Sequence, residues 1–360
     1  MSPQIGLMKK IRYTSKDIAQ LANVSRGTVD RVIHNRGKVS ETARNKVLKV
    51  LEEIDYQPNV IAKALSSSKE FRIAVLMPSV EKDVYWEDAK IGIDQAAKEL
   101  SMYNVGFEYF YFDQKSPKDF GTVSQLVLES QPAGLVMAPF FHQESIAFIA
   151  QCETKAIPCI NFNTFLPSSS FASFIGQDLV QSGRVAAGLL HKCMSDQGGT
   201  ILIIHFDENI SNAMHMQEKE AGFRDYFDQD HITGWRLTAL NLTEKEEGQL
   251  HDHLDTIFSS FPDTKGIFVT TSKGYKVAQY LSHHELPHKL VGYDLIDKNA
   301  SFLSEGIIDF LIYQNAKQQA FLSAMQIGEH LVFDKKMKKK TTLPIDIITK
   351  ENILSHRQET

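Results

Sequence analysis

The segment that most constrains the fold of this chain is residues 14–33, which read TSKDIAQLANVSRGTVDRVI. Apolar residues repeat at the spacing of one helix face in two consecutive stretches, which are Ile18, Leu21 and Ala22, then Val29, Val32 and Ile33. Between them residues 23–25 supply a turn, and Ser25 is a good N-cap for the second helix. The pattern predicts a helix-turn-helix, whose second helix fits the major groove of DNA.

A third helix is predicted to follow. Ser40 offers its N-cap, and the breaker Pro58 ends the segment. Its apolar residues at helical spacing are Val47, Leu48, Leu51 and Ile54. We therefore expect an all-helical headpiece over 1–58 and a hinge or linker over 59–70.

Charge is distributed unevenly along the chain. Residues 1–70 hold 13 Lys or Arg and 7 Asp or Glu, a net charge of +6, whereas the whole chain carries −5. The remainder therefore carries about −11. A basic end that coincides with the helix-turn-helix favours a nucleic-acid contact over an ordinary solvated face.

Three stretches resemble the LacI/GalR family of bacterial transcription regulators: the run 14–32, Lys38-Val39-Ser40, and YQPNVIAKAL at 56–65. In that family the segment after the third helix becomes helical on operator DNA, and a leucine from each of two subunits wedges into the minor groove. The resemblance assigns that role to Leu65. An apolar wedge unstacks a base step at a cost that the contacts of a bent duplex recover.

Arg26 and Arg31 are the expected base or phosphate contacts, because a guanidinium can pair with guanine or clamp a phosphate. The sequence departs from the family's commoner pattern at Gly27, which has no side chain to reach a base, and at Asp30. The operator sequence therefore does not carry over. The full set of predicted DNA contacts is Thr14, Ser25, Arg26, Gly27, Thr28, Arg31, Ser40, Asn59, Ala62 and Leu65.

From Phe71 onward apolar runs alternate with helical stretches, which is typical of parallel βαβ units. The predicted strands are 72–78, 106–112, 134–138, 158–162, 200–204, 266–269 and 289–293. Residues 71–350 are therefore expected to form a two-lobed α/β domain with parallel sheets, followed by a polar tail over 351–360. Ligands of such sheets bind at the carboxyl ends of the strands.

This part resembles the type I periplasmic sugar-binding proteins, a fold that the LacI family uses as its sensor. The resemblance implies a small sugar, polyol or sugar acid as effector, bound between the lobes. Aromatic planes can cover the apolar face of a sugar ring, and carboxylates or carboxamides bind its hydroxyls. The candidate contacts are Tyr85, Trp86, Phe141, His142, Asn163, Asp178, Lys219, Asp294 and Gln314.

Several of these candidates have alternative roles. Tyr85 and Trp86 could be ordinary core residues, Asp178 could cap its helix, and Lys219 is expected on a solvated helix face. Phe141 and His142 follow a strand and remain open. The chain is expected to cross between the lobes near Phe174, Tyr293 and Val332.

Other classes are poorly supported. No signal peptide or membrane span is visible, so a cytoplasmic protein without membrane contact is expected. Cys152, Cys159 and Cys193 lack paired metal spacing and are expected to be reduced. The chain shows no phosphate loop, nucleophile elbow or zinc-protease pair, so we expect neither an enzyme nor a cofactor. The pair His251 and His253 does not share a helix face, which disfavours a metal site.

Two remaining segments bear on assembly. The lysine run at 335–340 is expected to be a solvated turn rather than a second nucleic-acid patch. The segment after Ile348 lacks leucine heptads, so a homodimer without a zipper is expected. Two headpieces suit a pseudo-palindromic operator.

These patterns together predict a sequence-specific DNA-binding regulator, by default a repressor of carbohydrate genes that an effector releases from double-stranded operator DNA. A corepressor-dependent regulator or an activator is the near alternative, because sequence does not determine the sign of the coupling. A DNA-architectural protein without ligand response and a sugar-processing enzyme are the more distant alternatives.

Overall fold

The computed structural model divides into two compact units, 1–66 and 67–360. The structure describes residues 13–33, 36–54, 56, 64–65, 68–166, 171–194, 198–206, 210–229, 232–243 and 249–357. The division falls inside the segment 59–70 that the sequence predicts as a linker. Two predicted DNA contacts, Asn59 and Ala62, lie outside the described residues.

The smaller unit contains three helices, α1 (Ser15–Leu21), α2 (Arg26–Ile33) and α3 (Glu41–Glu53). Thr14 and Asp17 form a capping box at the start of α1, in which the Asp17 N–H donates to Thr14 Oγ1 at 3.3 Å and the Thr14 N–H donates to Asp17 Oδ2 at 2.8 Å. Ser40 caps α3 by accepting from the Ala43 N–H at 3.4 Å. These caps satisfy amides that have no partner inside the helix.

All three helices contribute to the core of the smaller unit. Its fully buried members are Ile18, Val29 and Val47, and Ala19, Ala22, Val32 and Val50 surround them. Two residues of the apolar repeats do not lie in this core, because Leu21 is 56% exposed and Leu48 is 49% exposed. The buried face of α1 and of α3 is turned from the predicted one, so that Ala19 and Val50 lie inside instead.

The larger unit contains two six-stranded sheets with helices on their faces. In chain order its elements are β1 (Phe71–Pro78), α4 (Tyr85–Leu100), a 3₁₀ turn (Ser101–Tyr103), β2 (Val105–Phe112), α5 (Pro117–Glu129), β3 (Gly134–Met137), α6 (His142–Thr154), β4 (Cys159–Phe162), β5 (Ser173–Gly176), α7 (Leu179–Cys193), β6 (Gly199–Phe206), a 3₁₀ turn (Ile210–Asn212), α8 (Met214–Gln229), β7 (Trp235–Leu242), α9 (Gln249–Ser260), β8 (Thr264–Val269), α10 (Gly274–His283), β9 (Lys289–Tyr293), α11 (Asp297–Glu305), β10 (Phe310–Tyr313), α12 (Ala316–Phe333), β11 (Lys340–Thr342), β12 (Asp346–Ile348) and α13 (Ile353–Arg357).

The first lobe has the strand order β11-β5-β4-β3-β1-β2, and all its pairings are parallel. The second lobe has the order β12-β10-β9-β8-β6-β7, in which the pairing of β10 with β12 is antiparallel. The central strands are buried on both faces, as in β1, whose last six residues are all buried. The predicted two-lobed parallel α/β fold is confirmed.

The chain crosses between the lobes at 177–178, 314–315 and 343–345. The expectation near Phe174 is close, whereas those near Tyr293 and Val332 are wrong. The second lobe contains strands that the sequence analysis did not count, so β10 still lies between Tyr293 and the crossing. Val332 belongs to α12, which packs on the first sheet.

One helix pair in each lobe packs backbone against backbone at a glycine. A Cβ at Gly92 in α4 would lie 2.1 Å from the carbonyl oxygen of Lys317 in α12. A Cβ at Gly183 in α7 would lie 2.0 Å from the carbonyl oxygen of Lys219 in α8. Any larger residue at either glycine would push its helix away from the neighbour.

Two further expectations are settled by the larger unit. The segment 351–360 is not simply a polar tail, because α13 lies there and Ile353 is only 5% exposed in the core of the second lobe. Among the described residues, no helix has both the length and the apolar character needed to cross a membrane.

Candidate ligand-binding cleft and DNA-binding surface

A cleft lies between the two lobes at the carboxyl ends of their strands, and it holds about 520 Å³ of empty space including the solvent at its mouth. It is lined by Asp83, Tyr85, Trp86, Ala138, Pro139, Phe140, Asn163, Thr164, His215, Lys219, Thr271, Ser272, Lys273, Asp294 and Gln314. Six of the nine predicted contacts therefore line one cleft, and Phe141, His142 and Asp178 do not.

Two of the lining residues stand at sharp turns directly after their strands. Asn163 follows β4 with φ +71°, and Asp294 follows β9 with φ +67°. Asn and Asp are the non-glycine residues that enter this left-handed region most readily, because their short side chains can hydrogen-bond locally. The turns place an amide from the first lobe and a carboxyl group from the second lobe in the cleft.

A chain of hydrogen bonds positions the side chains of the first lobe. The Asn163 Nδ2 donates to the Tyr85 hydroxyl at 2.7 Å, and the Asn163 backbone N–H donates to Gln319 Oε1 at 2.8 Å. Gln319 in turn donates through Nε2 to the carbonyl oxygen of Gln314 at 2.6 Å. Because every link is buried, Tyr85, Asn163 and Gln314 are held as one rigid group.

Asp294 is the most perturbed acid in the cleft. Its side chain is 4% exposed and accepts from Gln314 Nε2 at 3.0 Å and 3.2 Å on its two oxygens. Burial raises its pKa to about 7, against the opposing effects of the nearby Lys219 ammonium and the Gln314 hydrogen bonds. The group therefore exchanges between a hydrogen-bond acceptor and a protonated donor near neutral pH.

Lys219 is 2% exposed, so the expectation of a solvated helix face is wrong. Its Nζ donates to the carbonyl oxygen of Thr270 at 3.0 Å and lies 3.7 Å from the centre of the Tyr293 ring. Lys219 lies where α8 packs closely on α7, since a Cβ at Gly183 would meet its carbonyl oxygen. Its ammonium lowers the pKa of Asp294 in the buried part of the cleft, against the larger effect of burial.

Aromatic rings form one wall of the cleft. Tyr85 and Trp86 meet edge to face at 4.9 Å, and Trp86 contacts the Phe140 ring at 6.3 Å. Phe140 lies 5.6 Å from the His215 ring of the opposite lobe. Phe140 takes the place predicted for Phe141, whose ring packs in the core of the first lobe.

The two other predicted contacts, Asp178 and His142, do not line the cleft. Asp178 is exposed and caps α7, where it accepts from the Gln181 N–H at 3.0 Å. His142 is the first residue of α6, and its buried Nδ1 finds no hydrogen-bond partner among the described residues. The helix-cap alternative for Asp178 is thus the one that its contacts favour.

Sequence reasoning missed several lining residues. Their common signal was available, since they lie in the loops after β1, β3, β4 and β8. These residues are Asp83, Phe140, Thr164, Thr271, Ser272 and Lys273. His215 is the second residue of α8, just after the segment that follows β6, where the sequence analysis named no candidate.

The helix-turn-helix presents its predicted contacts at the surface of the smaller unit. Ser25, Arg26, Gly27, Arg31 and Ser40 are exposed. Ser25 also caps α2, because the Thr28 N–H donates to its Oγ at 3.1 Å, as its predicted N-cap role requires. Leu65, beyond α3, is helical together with Ala64 and is 49% exposed.

No group of three or more His, Cys, Asp or Glu side chains that could hold a metal ion occurs in the described part of the chain. The three cysteines are free, with Cys152 and Cys159 buried and Cys193 partly buried. The fold and the cleft define a class of protein in which one chain contains a helix-turn-helix unit and a two-lobed binding domain.

Comparisons with known proteins agree with that description. The model of bacterial regulatory proteins of the lacI family matches residues 14–59, and the model of the periplasmic binding protein domain matches residues 73–335. The chain belongs to the LacI family of transcriptional regulators, and its larger unit is a periplasmic binding protein domain.

Individual relatives cover different parts of the chain. The ribose operon repressor of Lactococcus lactis subsp. lactis is 23% identical over 96% of this chain and 99% of its own length. The regulator DegA of Bacillus subtilis is 32% identical over 41% of this chain, and the match spans 43% of DegA. The match to the catabolite control protein A of Streptococcus mutans likewise spans 42% of that relative.

Two solved structures extend the comparison to the larger unit. A Bacteroides fragilis protein described as a LacI transcriptional regulator superposes with a TM-score of 0.75 at 30% identity, covering 80% of this chain and 99% of that one. GanP, a glucose-galactose binding protein from Geobacillus stearothermophilus, superposes with a TM-score of 0.69 at 23% identity, covering 79% of this chain and 99% of its own. The likeness to GanP concerns the fold.

Proposed function

We propose that this chain is a homodimeric repressor of carbohydrate genes whose affinity for operator DNA is controlled by a small sugar or polyol bound between the two lobes. The observation that carries the proposal is the convergence of six predicted contacts, from both lobes, on one cleft. A domain that served dimerisation alone would have no need of a buried acid, ammonium and carboxamides at one point.

The polar groups of the cleft suit a neutral, hydroxyl-rich effector. Asp294 and Gln314 can together accept and donate to hydroxyls, and Asn163 adds an amide from the facing lobe. Lys219 Nζ already donates to the Thr270 carbonyl oxygen and lies against the Tyr293 ring, so its charge has partners without an anionic ligand. The aromatic wall that contains Trp86 and Phe140 supplies apolar surface for a sugar ring.

The DNA-binding part of the proposal rests on the exposed side of α2. Arg26 and Arg31 are exposed and can reach base edges or phosphates, and Ser25 lies at the helix N-terminus where phosphates bind favourably. A dimer would present two copies of α2 to the half-sites of a pseudo-palindrome. Leu65, exposed and helical, is the proposed minor-groove wedge.

The deciding experiment is selection of source-genome fragments by the purified chain at near-physiological salt, with and without a mixed pool of neutral sugars and polyols. We expect a pseudo-palindromic site beside carbohydrate genes, and release of that site when the pool is present. Stronger binding in the presence of the pool would reverse the sign to corepression. Salt-sensitive binding to all fragments, unaffected by the pool, would contradict the proposal and favour an architectural role.

A further inference from the structure

The N-terminus of α6 is capped from the opposite lobe. The residue before α6 is Phe141, whose side chain makes no capping hydrogen bond. Instead the Gln143 N–H donates to Asn212 Oδ1 at 3.1 Å. Asn212 ends a 3₁₀ turn of the second lobe, whereas Gln143 belongs to the first lobe.

The same asparagine makes a second bond across the cleft. Its Nδ2 donates to Glu144 Oε2 at 2.8 Å, and Glu144 lies in the first turn of α6. One carboxamide thus accepts from a backbone amide of the first turn and donates to an acidic side chain of the same turn. The arrangement resembles a capping box in which the capping residue has been supplied by another part of the chain.

We propose that Asn212 is an interlobe latch, which stabilises the closed arrangement of the two lobes by capping α6 of the first lobe from the second lobe. When the lobes separate, the amides of the first turn of α6 lose this cap, because the side chain of Phe141 offers no acceptor. The cap therefore acts only in the closed arrangement. A second contact that joins the two lobes is that between the Phe140 and His215 rings, whose centres lie 5.6 Å apart.

The latch bears on how strongly an effector must act. A ligand that binds only the closed arrangement finds only part of the molecules ready to bind it. Its apparent affinity is its intrinsic affinity multiplied by the fraction of molecules that are already closed. Asn212 raises that fraction without touching the ligand, because it does not line the cleft. It is a positioning residue, and this consequence rests on the proposed function, whereas the latch itself does not.

Hydrogen exchange of the full, ligand-free chain, resolved to single amides, tests the latch. Asn212→Ala should speed exchange of the Gln143 amide by about 3- to 30-fold, the range that a lost helix cap corresponds to. Glu144→Ala removes the second bond alone and should give a smaller increase at Gln143. Ser116→Ala is the matched control, since it removes a cap that lies within the first lobe. It should speed exchange at Asp119 and leave Gln143 unchanged.

Unchanged exchange at Gln143 in the Asn212→Ala variant would overturn the proposal, and so would an increase confined to 210–216. Protected amides in β1 and β6 verify that each variant is folded. Because the experiment uses neither DNA nor sugar, its failure is distinguishable from failure of the proposed function. The fragment selection could fail while Asn212 still latched the lobes.

Discussion

Replacement of Asp294 by asparagine should make the larger unit more stable at alkaline pH while weakening the proposed response to sugar. Burial raises the pKa of Asp294 from 3.8 to about 7. In the window between these two values the folded state binds more protons than the unfolded state, so stability falls as pH rises. A shift of about three pH units corresponds to ~4 kcal/mol of lost stability at pH 8 and to ~1–2 kcal/mol at pH 5.

The asparagine side chain of the Asp294→Asn variant would keep the shape of the native one and an oxygen for Gln314, but it would carry no charge to desolvate. One lost hydrogen bond offsets about 1 kcal/mol of the gain. We therefore expect the free energy of unfolding of Asp294→Asn to exceed that of the native protein by ~3 kcal/mol at pH 8. At pH 5 this gain should be smaller by ~2–3 kcal/mol. The same substitution replaces one carboxylate oxygen by an amide nitrogen, and so removes a hydrogen-bond acceptor that the proposed sugar needs.

Urea unfolding at pH 5, 6, 7 and 8 checks this expectation. Both tryptophans, Trp86 and Trp235, belong to the larger unit, so their fluorescence follows that unit and not the headpiece. Asp252→Asn on the exposed side of α9 is the control, because it removes a carboxylate from an exposed position. Glu218, whose pKa burial also raises to about 7, leaves a pH slope in both proteins. A stability difference that is the same at every pH would refute the assignment of the penalty to ionised Asp294.

Three further perturbations test the packing, the headpiece and the hinge. Gly183→Ala should lower the free energy of unfolding in urea by roughly 2 kcal/mol or more, on the usual scale of overpacking, because its Cβ would meet the Lys219 carbonyl. Gly188→Ala on the same helix is the control. Its Cβ would make only an ordinary contact, so this variant should be neutral or stabilising. Thr14→Ala should destabilise the headpiece by ~1 kcal/mol through the lost capping box, measured by thermal melting followed by circular dichroism. Leu65→Ala should weaken binding to the selected operator while leaving nonspecific, salt-sensitive DNA binding intact, and an equal loss of both in a fluorescence titration would contradict the wedge role.

The strands and the site were predictable to different degrees for a physical reason. Buried parallel strands such as β1, β6 and β9 read as continuous apolar runs, so they could be located from the sequence. β7 has a half-exposed burial pattern, and β11 and β12 are three residues long, so none of them leaves an apolar run. The polar residues that follow apolar runs, such as Asp294, were found for the same reason as their strands.

Residues on helices were predicted less well, because their position depends on how helices pack. Leu21 and Leu48 match a helical apolar stripe but lie outside the core. Lys219 matches the pattern of a solvated charge, yet it is buried and lies where two helices approach closely at Gly183. A helical pattern gives the angle of a side chain about its axis, whereas burial depends on the neighbouring element, which a single sequence does not specify.

The contacts that join the lobes bear on the proposed response of the cleft to a small ligand. Gln177, at the first crossing, donates through Nε2 to the carbonyl oxygen of Tyr313, next to the second crossing, and to that of Pro344, within the third. One buried carboxamide, that of Gln177, therefore links the three crossings, and Asn212 links the two lobes through α6. Gln314, which pairs with Asp294 in the cleft, follows Tyr313 directly along the chain. Under the proposed function, a ligand that engaged Gln314 would act directly on the crossing segment, so binding and closure would depend on the same few hydrogen bonds.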